Sequence, residues 1–182
     1  MKDRLKEFYP VFFITIIVFI SISLLALTDS VTAEKREWQT EQKVMDMLKD
    51  MFPSMSDYTL EDDVYVLYES GAVTGYAYIA EGKGYGGTID ILVGLEDATT
   101  IKGISIINHA ESPGLGARIN EDAYKGQYSN LTITDSEMRF NGGKIDAITG
   151  ATISSQAVAD AVRTTALEKI EELFGKGGDE NG

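Results

Sequence analysis

The sequence has no cysteine among its 182 residues, one histidine, one tryptophan and three prolines. Without cysteine there is no disulfide, no thiol nucleophile, no cysteine-held iron–sulfur cluster and no thioether-linked haem. The lone histidine, His109, cannot supply both axial haem ligands, and it leaves a histidine-rich zinc site without donors. Basic charge is also scarce: 16 Lys and Arg stand against 29 Asp and Glu, a formal net charge of −13. Nucleic-acid phosphates bind basic surfaces, so nucleic acid is not an expected partner. Glycine is what the chain has in excess, 18 residues in all. That is well above the usual ~7% and calls for tight turns or close backbone approaches.

The charge is unevenly spread. From Asp29 onward there are 13 basic and 27 acidic residues, whereas the first 28 hold Lys2, Arg4 and Lys6 against Asp3 and Glu7. Val11 to Leu27 is a run of seventeen residues without a charge, its only polar members being Thr15, Ser21 and Ser23. With Phe8 and Tyr9 it approaches the ~20 residues that cross a hydrocarbon core. A run this apolar on every face does not fit a soluble amphipathic helix. The expected order is a cytoplasmic segment 1–10, a single transmembrane helix 11–28 and an acidic domain outside the cytoplasm, because the basic residues precede the run. A cleaved signal peptide ending at Val31-Thr32-Ala33 is the alternative, and it also exports the domain.

Beyond the run, residues 33–52 read as a linking helix that Pro53 stops. Val64–Tyr68 and Val73–Ile79 read as a hairpin about Gly71, and Ile89–Val93 and Ile101–Ile107 as two further strands. Asn130–Thr134 is a shorter candidate strand. A final helix is expected from Ile153 to Phe174, where Val158, Val162, Ala166, Ile170 and Phe174 recur at i, i+4. The domain, 57–175, is therefore α+β with a mainly antiparallel sheet flanked by helices, followed by a disordered tail, 176–182.

Three glycine-containing segments carry the candidate chemistry. In Asp146-Ala147-Ile148-Thr149-Gly150-Ala151-Thr152 a strand runs into a helix N-terminus through glycine and hydroxyl residues. Free N–H groups and the positive end of the helix dipole favour an anion there. An ordinary helix cap at Thr149 or Thr152 after a Gly150 turn fits the same residues. In Glu111-Ser112-Pro113-Gly114-Leu115-Gly116 proline stiffens the loop, and Leu115 projects from thin backbone in a way that suits either a flat apolar ligand or the core. His109 beside Glu111 offers a general base without a nucleophile, so a hydrolytic site is the weaker reading. Gly84-Tyr85-Gly86-Gly87 opens no helix, so it is not a dinucleotide fingerprint, and Tyr85 reads as a candidate aromatic lid.

Together these segments resemble a known family. Asp146 to Thr152 resembles the D-x-x-[ST]-G-A-T flavinylation motif, and the ESPGLG loop precedes it in the family's order and spacing. The chain is similar to the G subunit of the Rnf ion-translocating electron-transport complex and to the C subunit of the sodium-translocating NADH:quinone oxidoreductase. The resemblance implies an FMN-binding domain, with FMN joined to Thr152 by a phosphoester. It places Gly150 and Ala151 about the phosphate and Glu111, Ser112, Pro113, Gly114, Leu115 and Gly116 along the isoalloxazine, with Asp146, Thr149 and Tyr85 as further cofactor-binding residues. It implies an electron-relay subunit, non-catalytic alone, in ferredoxin-linked ion transport. The implied partners are the other subunits of the complex, membrane lipid, and a flavin transferase during maturation. An exported binding or sensory domain, or a structural assembly subunit without redox activity, are the rival readings.

Overall fold

A computed structural model describes the backbone of residues 2–174 and the side chains of 12–25 and 41–172. The tail expected over 176–182 lies outside the described residues. The chain divides into two units, Met1–Gln42 and Lys43–Gly182. Helix α1 is one element, Lys2–Met51, where the sequence reading has two helices separated at residues 29–32. Nothing in that interval is a helix breaker, since neither glycine nor proline occurs there. In the first unit the described side chains from Phe12 to Leu25 are apolar but for Thr15, Ser21 and Ser23, and nearly all are exposed. Among the described residues no helix is long and apolar enough to cross a membrane. Val11 and Ala26 to Thr28, the ends of the expected span, have side chains outside that description.

The second unit is a six-stranded antiparallel meander in the order β1 (Asp57–Glu61), β2 (Val64–Glu69), β3 (Ala72–Lys83), β4 (Thr88–Leu95), β5 (Thr100–His109) and β6 (Leu131–Thr132). Strand β1 is an addition to the expected set: all five of its residues are exposed, so DYTLE lacks the apolar alternation that marks a half-buried strand. Strand β3 runs four residues past the expected Ile79, through Gly82 to Lys83. Strand β6 keeps only two residues before the chain turns into a 3-10 helix at Ile133–Asp135.

Both faces of the sheet are covered, which is why β4 reads as a nearly continuous apolar run with five of its last six residues buried. On one face Val44, Leu48 and Phe52, from the end of α1 and just beyond it, pack with Leu67, Ala77, Leu92 and Ile107. Lys43 Nζ donates to the Ile107 carbonyl. Gly94 pairs with Gly103 across β4 and β5, and a Cβ on Gly94 would meet Met51 and Phe52. The bare backbone at Gly94 is what lets these two side chains settle on the sheet.

The other face is covered by α3 (Thr152–Phe174) and by the irregular stretch between β5 and α3. Val158, Val162 and Ala166, three of the expected stripe, are fully buried against Tyr78, Ala80, Ile91 and Val93, while Ile170 is partly buried. The Phe174 side chain lies outside the described residues. The Tyr78 hydroxyl donates to the Val162 carbonyl at 3.3 Å, and burial pushes that phenol well above its ordinary range. The irregular stretch adds one helical turn, α2 (Asp122–Lys125), and delivers Ile119, Tyr124, Tyr128, Ile133, Met138 and Ile145 to the same core.

Candidate functional site

Gly150 adopts φ of +81° and turns the chain into the first residue of α3, Thr152. That left-handed conformation favours glycine over any residue with a Cβ. The Ser155 hydroxyl fixes the turn from inside the helix: it accepts the Ile148 N–H at 3.0 Å and donates to the Ala151 carbonyl at 3.0 Å. Behind it, the Tyr124 hydroxyl donates to the Ser155 carbonyl at 2.8 Å. Desolvation raises the Tyr124 phenol to about 12. Thr152 itself is exposed, and no hydrogen bond among the described residues engages its hydroxyl. A threonine cap at this position is therefore not what the side chain does. The hydroxyl stands free beside the N-terminal amides of a 23-residue helix.

Glu111 ties its own loop to the Gly84–Gly87 loop and to the first turn of α3. Only 6% of it is exposed. Its Oε1 accepts the Gly86 N–H at 2.9 Å, and its Oε2 accepts the Ser154 hydroxyl at 2.7 Å. Its own N–H donates to His109 Nδ1 at 3.2 Å, so the histidine serves the loop as an acceptor. Gly84 and Gly116 close over the carboxylate; a Cβ on either would meet one of its oxygens. Both glycines are thus explained by close approach to Glu111.

The three segments enclose a cavity of about 440 Å³ between Tyr85, Glu111, Ser112, Leu115, Gly116 and the stretch Gly150 to Ser154. That volume falls in the usual range for a small-molecule or cofactor site, ~300–1,000 Å³. Tyr85, Leu115 and Ile153 stand 75%, 51% and 57% exposed around it, three large and largely uncovered side chains. Leu115 lies close to Gly150, where a Cβ would stand 3.1 Å from its Cδ2. The arrangement offers apolar flanks for a flat ring and, at one end, helix amides and a free hydroxyl for a phosphate. An FMN-sized ligand fits both the volume and the donor set.

Eight of the twelve expected residues line this cavity: Tyr85, Glu111, Ser112, Leu115, Gly116, Gly150, Ala151 and Thr152. Pro113, Gly114, Thr149 and Asp146 stand outside its wall. Asp146 faces Arg139, which donates from Nε at 2.5 Å and from a terminal nitrogen at 2.9 Å. Gln127 receives the Asp146 N–H at 2.7 Å. The first residue of the motif thus secures the approach to α3. Ile153 and Ser154 are wall residues that the sequence reading passed over. Their signal was their place, one and two positions after Thr152 in the first helical turn.

Residues 84–166 match the FMN-binding domain family. Solved structures of related architecture include NqrC of Shewanella oneidensis, with a TM-score of 0.50 at 19% identity over 67% of this chain and 74% of that one. The C subunit of the Na(+)-translocating NADH-quinone reductase of Parabacteroides distasonis gives 0.50 at 24% identity, over 59% and 61%. The family match and the fold together define an FMN-binding domain of this architecture. Among curated relatives, the G subunit of the ion-translocating oxidoreductase complex of Methanosarcina acetivorans is 37% identical over 90% of this chain and 95% of its own length. The G subunit of the proton-translocating ferredoxin:NAD(+) oxidoreductase complex of Clostridium ljungdahlii is 32% identical over 96% and 97%. The chain belongs to this family of G subunits of ion-translocating oxidoreductase complexes.

Proposed function

We propose that the chain is the electron-relay subunit of a membrane ion-translocating oxidoreductase, carrying FMN bonded to Thr152 through a phosphoester. The observation that carries this reading is the free Thr152 hydroxyl at the mouth of the cavity, beside the N-terminal amides of α3. Bound FMN supplies one- and two-electron chemistry, which no side chain of this cysteine-free protein provides. Thr152 Oγ1 bonds to the flavin-side phosphorus of FAD while the pyrophosphate bond breaks; AMP leaves and the hydroxyl proton passes to water. A flavin transferase catalyses that step. The α3 amides would then hold the phosphate charge, and Leu115, Ile153 and Tyr85 would flank the ring and limit water around it.

The relatives are named as members of ion-translocating complexes, one of them ferredoxin-linked. On that footing the partners are the neighbouring subunits and membrane lipid. The uncovered apolar side chains from Phe12 to Leu25 support membrane insertion of residues 11–28, with 1–10 cytoplasmic and the domain 57–175 on the other side. Thr152→Val keeps the side-chain shape and removes the hydroxyl. Co-produced with a flavin transferase, the wild type is expected to fluoresce in a denaturing gel and the variant to be dark at equal far-ultraviolet circular dichroism. Fluorescence retained by Thr152→Val rejects Thr152 as the attachment point.

A further inference from the structure

Glu111 is the one buried charged side chain among the described residues, and no Lys or Arg forms an ion pair with it. Its partners are the neutral Gly86 N–H and Ser154 hydroxyl, both donating, so each carboxylate oxygen acts as an acceptor. Ser154 is the third residue of α3, and the positive end of that helix favours a negative group there. The result is a fixed anion in the wall of the cavity, screened by little water.

We propose that Glu111 sets the redox poise of this cavity by opposing negative charge on a reduced flavin held beside it; this rests on FMN occupying the cavity. Full reduction takes two electrons from a one-electron donor. One proton from water then leaves the ring anionic, and a second leaves it neutral. A carboxylate in the wall favours the neutral product, so the change from two-proton to one-proton uptake moves to higher pH. Above that change it also lowers the midpoint potential. The segments that meet at Glu111 carry few other titratable groups. The end of β3 brings Lys83 and the loop after it Tyr85, the end of β5 brings His109, and Arg118 is committed to Glu121 at 3.2 Å. The first turn of α3, Thr152 to Ser155, carries no charged side chain.

Glu111→Gln tests this, because an amide oxygen still accepts the Gly86 N–H while the charge is gone. Flavin-loaded full chain is titrated potentiometrically with a one-electron donor across neutral to alkaline pH, and flavin absorbance is followed. The expected result is a break in the potential–pH curve about one pH unit lower in Glu111→Gln. Above the break, a tenfold change in the reduction equilibrium raises the potential by about 30 mV for this two-electron couple. A break and potential identical to wild type overturn the proposal. If Glu111→Gln does not accumulate, Ser154→Ala leaves the charge with one donor fewer. The break then moves to higher pH, and no movement or movement downward overturns the proposal. A wild type lacking bonded flavin refutes the Thr152 reading alone. The same titration on added FMN then still decides the role of Glu111.

Discussion

The Ser154 hydroxyl donates to Glu111 Oε2 over 2.7 Å, joining the first turn of α3 to the loop after β5 across 43 positions of sequence. Gly86, on the loop between β3 and β4, reaches the other oxygen of the same carboxylate. A single buried carboxylate therefore holds together the segments that form the cavity.

Removing one donor from a buried carboxylate leaves part of its hydrogen-bonding capacity unmet, at a cost of about 1–3 kcal/mol. Ser154→Ala is accordingly expected to lower the free energy of unfolding by that amount in urea denaturation. Ser154→Thr keeps the donor and is expected to lose less. Equal losses in the two variants count against the hydrogen bond as the cause.

Gly94 lies under Met51 and Phe52, and a side chain there collides with both. Overpacking of this kind costs about 1–3 kcal/mol. Gly94→Val is expected to show that loss as a lower thermal midpoint. Pairing it with Phe52→Ala makes room and is expected to recover part of it. Losses that simply add would argue against a direct clash.

The Tyr124 phenol is raised to about 12, mainly by desolvation, against an ordinary value near 10. The folded state thus holds this proton more tightly than the unfolded chain does. The stabilisation is complete below about pH 10 and is lost as pH climbs towards about 12. Tyr78 and Tyr128 are shifted in the same direction. Denaturation series across that window are expected to show stability falling with pH, and less steeply in Tyr124→Phe. An unchanged slope in Tyr124→Phe shows that this phenol does not drive the loss.

Much of the fold was legible because the signals are local. The i, i+4 stripe of α3 appears in any helical reading of Val158, Val162 and Ala166, and the core strands announce themselves as apolar runs. Strand β1 was not legible, since DYTLE joins the sheet as an exposed edge held by its ladder to β2 and not by burial. The continuity of α1 through residues 29–32 is not legible for a different reason. A polar interval after an apolar run marks a change of solvent, and no helix-breaking residue accompanies it.

The site divides along the same line. Glycine flexibility, a hydroxyl at a helix start and an apolar residue between two glycines are properties of neighbouring residues, so the chain determined by itself which segments carry the chemistry. Which members face one another was decided by tertiary structure. Asp146 turns away to Arg139, Ser154 turns inward to Glu111, and Ile153 joins the rim although its sequence place is ordinary. A cavity wall is made by packing elements tens of residues apart, and its membership follows from the way α3 settles on the sheet.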